Sequence, residues 1–389
     1  MQYSPLVKRI SGEGADAWIV HYTARTAQER GEDVILLSVG DPDLDTPAPV
    51  VERAIEQLRA GDTHYTPATG RQHLREAIAA AHTARTGQSV QTANVIFLPG
   101  AQNALFVTSM CVAGPGDEVL ALEPLYPSYP ATLEVSGAKM VRIRAPATNK
   151  FRVDLAALEA AITPRTRALF FATPNNPSGA ILSHSDLNVI GALARRHSFW
   201  IVADEVYAGL AAGGRVPSLA ASMPDQVVTI SSLSKSHSMP GWRAGWLVGP
   251  AELVRHAEAM AQCMLFGLPG FVQEAAYTAL GLSQEAESRI REYCAVRRDL
   301  LLAGLSGAPG LTCFVPDAGM FMLVDVRGTG LSGYEFMREL YRKERVSVLD
   351  GGAFGLETGG FVRVCFATDE AALKEAIVRI RRFVENLSG

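Results

Sequence analysis

Short apolar runs that alternate with helix-like stretches are the feature that most restricts how this chain can fold. The runs lie at 34–39, 95–98, 119–122, 168–172, 200–203, 227–230 and 246–248. Gly, Pro or Asp bounds most of them, which is typical of strands buried on both faces. The helix-like stretches between them lie at 74–85, 104–112, 155–162 and 186–197. This alternation predicts an α/β fold with a mainly parallel sheet covered by helices.

The pattern changes near residue 285. A long charged helical stretch leads there to strand candidates at 321–326 and 361–366, with helical stretches at 333–344 and 369–387. A chain of 389 residues is long enough for two domains. We therefore expect a large domain at 46–285 and a smaller α+β domain built from 1–45 and 286–389.

Composition argues against several classes of protein. Hydrophobic residues make up 48% of the chain and charged residues 20%, and the formal net charge is -4, so no nucleic-acid-binding pattern is indicated. The five cysteines are scattered and form no C-x-x-C pair, so neither a disulfide framework nor a catalytic metal is expected. Neither a signal peptide nor an apolar stretch of the ~18 residues that span a bilayer is present, and we expect a cytoplasmic protein that does not bind membranes.

Lys235 lies in the sequence S-S-L-S-K-S-H, directly after the apolar run 227–230, and Arg243 follows it. A lysine at a strand end can form a Schiff base with an aldehyde cofactor, while the Ser232 hydroxyl and a guanidinium group hold its phosphate. Most lysines are instead solvated surface charges, so Lys235 alone is weak evidence. His237 could bond the nearby backbone or line the same site.

A strand-to-helix turn provides a second candidate for phosphate binding. The sequence P-G-A-Q-N-A-L at 99–105 follows a strand candidate and opens a helix. The free amides of Ala101 and Gln102 would therefore point at an anion placed there. The alternative is an ordinary tight turn.

Polar residues follow two further strand candidates. Asp204 closes the run 200–203, at the end of a strand where ligands of open α/β sheets collect, and its carboxylate could pair with a pyridinium nitrogen or cap the next turn. Tyr207 could reach the phenolic oxygen of a cofactor or simply pack. Asn176, in T-P-N-N-P-S-G, carries a donor and an acceptor that could orient a ring oxygen, although this segment in isolation is a turn.

Eight motifs occur in an order that resembles the class I/II pyridoxal-phosphate aminotransferases. They are Y-T-P-A-T-G at 65–70, the turn at 100–105, E-P-L-Y-P-S-Y with Tyr126, N-N-P-S-G with Asn176, D-E-V-Y at 204–207, S-L-S-K at 232–235, Arg243 and Arg363. The resemblance covers essentially the whole chain. It implies the fold type I architecture, with a mainly parallel seven-stranded sheet sandwiched by helices and a smaller α+β domain, together with pyridoxal 5'-phosphate as cofactor and a homodimer.

The resemblance also implies a role for each motif residue. Lys235 would hold the cofactor as a Schiff base, and its freed amine would take the α-proton of the substrate and return it at the cofactor carbon. Asp204 would pair with the pyridinium nitrogen. The other implied cofactor contacts are Tyr207 and Asn176 at the phenolic oxygen, Tyr126 on the ring face, and Ser232, Ala101, Gln102, Arg243 and the neighbouring subunit's Tyr65 at the phosphate. The implied contacts of the substrate are Gly40, Asn176 and Arg363, although strand alternation alone favours an outward-facing Arg363.

The substrates are less clearly indicated than the cofactor. The stretches 36–49 and 232–250 resemble the branch of the family that moves an amino group from arginine to pyruvate. Leu233 argues mildly against the aspartate branch, which has an aromatic residue there, and Gln102 stands where many relatives have Ser or Thr. A guanidinium-bearing donor would need an acidic or carbonyl-rich pocket, for which Glu13, Asp16 and Asp43 are candidates that could equally be solvated surface acids.

Three alternatives to an arginine-specific enzyme stay open. An aspartate or aromatic aminotransferase would use the same residues, and a pyridoxal-phosphate C–S β-lyase is supported by the same lysine, aspartate and arginine. A non-catalytic cofactor-sensing module fused to a DNA-binding domain is disfavoured, because the resemblance begins almost at residue 1.

Overall fold

The computed structural model describes residues 1–10 and 18–388. Its helices are α1 (Pro5–Ile10), α2 (Ile19–Glu29), α3 (Ala48–Arg59), α4 (Gln72–Thr86), α5 (Ala101–Val112), α6 (Tyr129–Glu134), α7 (Leu155–Ala161), α8 (His184–His197), α9 (Ala251–Met264), α10 (Gly270–Gly281), α11 (Ser283–Leu305), α12 (Gly333–Glu344) and α13 (Glu370–Ser388). Its strands are β1 (Ile35–Leu36), β2 (Val95–Pro99), β3 (Glu118–Leu122), β4 (Lys139–Ile143), β5 (Thr166–Ala172), β6 (Trp200–Asp204), β7 (Val227–Ser232), β8 (Ala244–Val248), β9 (Thr312–Phe314), β10 (Phe321–Asp325), β11 (Val346–Ser347), β12 (Leu349–Asp350) and β13 (Phe361–Cys365). None of the described helices is both long and apolar enough to cross a membrane.

Within the described residues, seven strands form the central sheet in the order β2-β8-β7-β6-β5-β3-β4. Neighbouring strands are parallel except where β8 is involved, which runs antiparallel to β2 and to β7. The prediction of a mainly parallel sheet is therefore confirmed.

Helices cover both faces of this sheet. On one face, Val119 and Phe170 pack with residues of α5 and α9. On the other face, Leu120 and Leu169 pack with residues of α8. Successive residues of each strand thus enter opposite cores, which explains why the apolar runs are continuous rather than alternating. The helices also hold the carboxyl edge of the sheet in place.

The chain after α11 contributes most of a second core. Its sheet has the order β12-β13-β10-β9 and is antiparallel throughout. Residues of α2, α11, α12 and α13 pack with this sheet in one cluster. The N-terminal part of the chain also joins it directly, because β1 pairs in parallel with β11 at Ile35 and Val346.

One predicted strand is shorter in the structure, and four strands, β4, β9, β11 and β12, were not predicted. The run 34–39 forms a strand only at Ile35–Leu36. The Leu37 N–H still donates to Ser347 of β11, but the Leu37 carbonyl accepts from Cys365 of β13, so the chain passes from β11 to β13 at this residue. This crossing brings residues 38–40 beside β13. Strand β4 escaped prediction because Lys139 and Arg142 interrupt its apolar residues, as is usual for a strand at the edge of a sheet.

Candidate active site

A cavity of about 410 Å³ opens at the carboxyl ends of three neighbouring parallel strands. Ala172, Asp204 and Ser232 are the last residues of β5, β6 and β7, and all three line it. The first turn of α5 and Arg363 of β13 close the cavity from two other directions. This is the position where open α/β sheets bind ligands, and the volume is within the usual range for a cofactor site.

Most of the residues predicted for the site meet in this cavity. Those that line it are Gly40, Ala101, Gln102, Tyr126, Asn176, Asp204, Tyr207, Ser232, Lys235, Arg243 and Arg363. Tyr65 does not line it. The Tyr65 side chain is 85% exposed and packs edge to face on Phe266, with ring centroids 5.1 Å apart.

The Lys235 amine lies inside the cavity and donates a hydrogen bond to the carbonyl of Gly40. Burial lowers the pKa of Lys235 below its ordinary value, and the positive charges of Arg363 and Arg243 lower it further, against an opposing effect of Asp41. A lysine in these surroundings carries a neutral amine at a lower pH than a solvated lysine does. It can therefore act as a nucleophile or as a base.

Asp204 is a buried carboxylate at the end of β6. The Tyr129 hydroxyl donates to Oδ2 at 2.7 Å, and the Val206 N–H donates to Oδ1 at 3.1 Å. Burial raises the pKa of Asp204, and these two hydrogen bonds oppose that rise. The carboxylate forms no ion pair with any described residue, so it is suited to accept a cationic group from a ligand.

Arg363 is a fully buried cation at 1% exposure. Its Nη2 donates to the carbonyl of Ser38 at 2.5 Å and its Nη1 to Oδ1 of Asn176 at 3.0 Å, while Nε has no partner among the described residues. The guanidinium lies 4.0 Å from the centroid of the Phe321 ring. The alternation argument for an outward-facing Arg363 is wrong, because β13 lies between β12 and β10 and both of its faces are covered.

The side-chain amide of Asn176 joins two of these groups. Its Oδ1 accepts from Arg363, and its Nδ2 donates to the Tyr207 hydroxyl oxygen at 3.3 Å. Burial raises the pKa of Tyr207 well above its ordinary value, so the phenol keeps its proton. Tyr207 can therefore donate a hydrogen bond to an oxygen in the cavity while it accepts one from Asn176.

The part of the cavity lined by Arg243 and the first turn of α5 is suited to a phosphate. Arg243 takes the left-handed conformation, with φ 55°, and its guanidinium donates to the carbonyls of Pro240 and Pro99. A Cβ on Gly100 would lie 2.4 Å from Nη2 of Arg243, so only glycine allows this approach. The first amides of α5, at Ala101 and Gln102, have no acceptor in a preceding turn and are available to an anion.

The Gln102 side chain is already hydrogen-bonded within the protein. Its Nε2 donates to Thr132 at 2.6 Å, and its Oε1 accepts from Ser128 at 2.8 Å. The residue can therefore offer its backbone amide to a phosphate, while its side chain shapes the wall of the cavity.

These groups fit pyridoxal 5'-phosphate. The cofactor carries a ring nitrogen that can be protonated, an aldehyde and a phosphate. The cavity contains a buried carboxylate without a cation, an amine, and a helix start beside a guanidinium, one group for each feature. The fit rests on Asp204 above all, since burying an unpaired carboxylate is unfavourable unless a ligand compensates it.

Sequence reasoning missed three groups in the cavity. Tyr129 binds Asp204, although the two residues are distant in sequence, and Phe321 lies under Arg363. Trp18 reaches the cavity from the N-cap of α2. The pair of tyrosines in E-P-L-Y-P-S-Y was a signal for Tyr129, whereas no local pattern points to Trp18.

Of the residues left ambiguous by the sequence, Asp43 and His237 do not line this cavity. Asp43 is exposed and accepts a hydrogen bond from Tyr293. Glu13 and Asp16 are outside the described residues. His237 lines a second cavity behind β7, where its Nδ1 is 2.8 Å from the Ser236 hydroxyl. Burial lowers the pKa of His237 to about 4, so it is neutral near pH 7.

Comparison with known proteins gives one consistent result. The family model described as aminotransferase class I and II matches residues 32–380. The arginine–pyruvate transaminase of Pseudomonas aeruginosa is 44% identical over 391 aligned residues, which cover 100% of each chain. The aspartate aminotransferase of Geobacillus stearothermophilus is 31% identical and covers 98% of this chain and 99% of its own.

A solved structure is similar over nearly the same length. The aspartate aminotransferase of Thermus thermophilus with maleate has a TM-score of 0.92 and 32% sequence identity, and the match covers 98% of this chain and 99% of that one.

Proposed function

This chain belongs to the class I and II aminotransferases, which are pyridoxal-phosphate enzymes, and we propose that its amino donor is arginine and its acceptor pyruvate. Similarity to the arginine–pyruvate transaminase over the full length of both chains supports this pair. The observation that best supports amino-group transfer is that Lys235, Asp204 and Arg363 line the same cavity.

We propose that Lys235 holds the cofactor covalently and that Asp204 pairs with its ring nitrogen. A carboxylate beside that nitrogen favours its charged form, and Asp204 has no competing cation among the described residues. When bound, the cofactor supplies an electron sink for the bond between the α-carbon and its hydrogen. The remaining proposed contacts are Tyr207 and Asn176 at the phenolic oxygen, Tyr126 on the ring face, and Ser232, Ala101, Gln102 and Arg243 at the phosphate.

We propose Lys235 also as the base that moves the α-proton. A solvated lysine, with a pKa of ~10.4, is almost fully protonated near pH 7. The lowered pKa of Lys235 increases the fraction of neutral amine that can accept the proton. The same amine can then return the proton at the neighbouring carbon, so a single group serves both transfers.

Arg363 is the proposed anchor of the substrate's α-carboxylate. It is buried, it has no carboxylate partner in the described part of the chain, and its Nε lacks an acceptor. A carboxylate in the cavity would supply that missing acceptor and neutralise the charge. Gly40, whose carbonyl accepts from Lys235, and Asn176, which orients Arg363, are the proposed neighbours of the bound substrate.

We propose that the active enzyme is a homodimer in which Tyr65 contacts the phosphate in the neighbouring subunit. A tyrosine that is 85% exposed beside a phenylalanine that is 62% exposed is an apolar surface suited to cover by another protein. The Tyr65 loop is also firmly held: Thr66 donates to the Leu268 carbonyl at 2.7 Å, and Gln273 donates to Thr66 at 2.8 Å.

We propose two domains, with the large one at 46–285 and the smaller one made of 1–45 and 286–389. The separate cores of the two sheets support this division. We also propose a cytoplasmic location, because scattered cysteines that are odd in number suit a reducing compartment.

A donor screen tests the proposed substrates. Single amino acids are added to the cofactor-loaded enzyme without an acceptor, and the absorbance of the bound cofactor is followed in the ~400 nm region. Bleaching by arginine and recovery on adding pyruvate are expected. Bleaching by aspartate or aromatic donors but not by arginine would contradict the proposed donor. Release of pyruvate and ammonia from cystathionine without any oxo acid would point instead to a C–S β-lyase.

A further inference from the structure

Trp18 forms a wall of the cavity that contains Lys235 and Arg363. Trp18 and Tyr126 each pack against a small apolar cluster formed by Leu349 and Phe354. The guanidinium of Arg363 lies 5.0 Å from the centroid of that same Phe354 ring. A substrate whose carboxylate binds Arg363 therefore lies in a cavity that Trp18 also lines.

The position of Trp18 is fixed relative to the carboxylate anchor. The rings of Trp18 and His21 meet edge to face, with centroids 5.6 Å apart and planes at 80°. Nδ1 of His21 is 2.8 Å from the Ser38 hydroxyl, and the Ser38 carbonyl accepts from Arg363. The first turn of α2 and the guanidinium of Arg363 are thus joined through one residue, Ser38.

The charges of the cavity limit how a guanidinium-bearing donor can be recognised. Its described lining contains the cations Lys235, Arg243 and Arg363 and a single carboxylate, Asp204. Asp204 is bound by Tyr129 at the end of β6 and is already proposed for the cofactor. Asp41 does not line the cavity, although its charge acts on Lys235, so the described lining contains no second carboxylate for a donor side chain.

Aromatic faces can replace a carboxylate for this ligand. A guanidinium group is planar and weakly hydrated, and it stacks on the faces of tryptophan and tyrosine rings. The indole ring has the strongest attraction for cations among the aromatic side chains. Trp18 provides such a surface in the cavity, whereas Tyr126 is already proposed for the ring face of the cofactor.

We propose that Trp18 is the specificity-determining residue for the donor side chain, and that its ring stacks on the guanidinium group of arginine. This proposal rests on the proposed arginine donor. It assigns the choice of donor to an uncharged aromatic surface on α2, while Arg363 binds the α-carboxylate that all donors share.

Two variants and three donors test this proposal on the cofactor-loaded enzyme. Trp18→Leu removes the aromatic face, and Trp18→Phe keeps a weaker one. Arginine is compared with citrulline, which has the same shape without the charge, and with alanine, whose methyl group is too short to use a distant wall. The half-reaction rate is measured as a function of donor concentration.

We expect Trp18→Leu to lower the efficiency with arginine by about 3- to 30-fold, the range of a cation–aromatic contact, and to change alanine less than about 2-fold. Trp18→Phe should keep most of the arginine efficiency. The wild-type preference for arginine over citrulline should nearly vanish in Trp18→Leu.

A binding measurement separates recognition from chemistry. The probe is 5-guanidinopentanoate, which lacks the α-amino group and cannot react, and pentanoate is its control. Calorimetry should show that Trp18→Leu weakens binding of the first by about 3- to 30-fold, with little change for the second.

Three results would overturn the proposal. Equal losses with arginine and alanine would mean that Trp18 only supports the fold. Unchanged arginine efficiency in Trp18→Leu would place recognition elsewhere, and a large loss in Glu13→Gln or Asp16→Asn would locate it in those acids. If the wild-type enzyme rejects arginine, the proposed donor fails; an unchanged ratio of the best long donor to alanine in Trp18→Leu would then refute the role of Trp18 separately.

Discussion

Two buried charges of this protein have opposite surroundings. Glu274, on α10, is 5% exposed and accepts from Arg53 at 2.8 Å and from Arg71 at 2.7 Å. Arg363, on β13, is 1% exposed and is bound by neutral oxygens alone. The first charge is neutralised within the described part of the protein, and the second is not.

We propose that this difference separates a structural charge from a binding charge. The ion pairs of Glu274 join α3, α4 and α10, so they hold the chain together. Arg363 faces a cavity and gains a counter-charge only when an anion enters. Removing a partner from the first set should damage stability, while removing Arg363 should damage activity more than stability.

The largest effect is expected for Lys235→Ala. Removal of a general base alone lowers a rate by roughly 10²- to 10⁴-fold, and loss of the covalent attachment adds to this. We expect a nearly inactive protein whose melting temperature, measured without cofactor, matches the wild type. Ordinary turnover by this variant would contradict the proposed role of Lys235 and would mean that it does not belong with Arg363 among the binding charges.

Asp204→Asn should have the second-largest effect on activity. The variant keeps the shape of the side chain but loses the charge, so we expect a loss of about 10²- to 10³-fold in the half-reaction rate, similar to the loss of one electrostatic group in an active site. Because Asp204 has no cation partner among the described residues, the fold should tolerate the change. Tyr129→Phe removes one hydrogen bond to the same carboxylate and should have a smaller effect in the same direction.

Glu274→Gln should have the opposite effect: it should reduce stability and leave activity nearly unchanged. It removes the most buried counter-charge of Arg53 and Arg71, although Arg53 keeps Glu56 and Arg71 keeps Asp62. The loss should cost at most about 3 kcal/mol of unfolding free energy, the lower end of the range for a broken buried pair. Urea denaturation measures the loss. The half-reaction rate of the folded variant should stay near that of the wild type, and a rate that falls as far as in Asp204→Asn would break the comparison.

Arg363→Gln should weaken substrate binding, and the free energy lost should be smaller than in the preceding variants. Loss of a charge-assisted hydrogen bond costs ~1.5–3 kcal/mol, which corresponds to about a 10- to 150-fold rise in KM for every donor. Arg363→Lys keeps the charge without the planar fork and should be intermediate. Unfolding free energy should change less than in Glu274→Gln, because no described carboxylate loses its partner.

The smallest effect is a difference in acid stability. Burial alone would raise the pKa of Glu274, but hydrogen bonds from Arg53 and Arg71 and the charge of His73 hold it below its ordinary value. Its contribution is therefore complete above the unfolded pKa of ~4.3 and is lost as the pH falls through the lower folded value. Wild-type stability should fall more steeply than that of Glu274→Gln between about pH 5 and pH 3; equal slopes in urea titrations would contradict this.

The residues of the cavity and the ion pairs of Glu274 also differ in how well the sequence predicts them. Asp204 and Ser232 were predictable because each ends an apolar strand, and the ends of parallel strands meet at one edge of the sheet. The match to the family model and the similarity to known aminotransferases confirm the predicted family and its cofactor. The Glu274 ion pairs gave no such signal, since Arg53 and Arg71 lie far from Glu274 along the chain.

Contacts that depend on tertiary packing were also beyond the sequence. Strand alternation assigned Arg363 to the wrong face because it assumes a sheet with one solvated side, whereas both sides of β13 are covered. Trp18 was missed for a related reason: it reaches the cavity only because β1 pairs with β11 and carries α2 to the site.

Helix α11 connects the region of the central sheet with the core that contains β13. Ser283 begins it beside the central sheet, and Leu305 ends it within the core that contains β13. A helix of 23 residues is about 34 Å long, so a rotation of about 5° at its first turn displaces its last turn by about 3 Å. That displacement equals the length of a hydrogen bond. Because Ile290 and Leu305 of this helix pack in the same core as Val362 of β13, a slight tilt of the helix with that core would be enough to change which groups Arg363 can reach in the cavity.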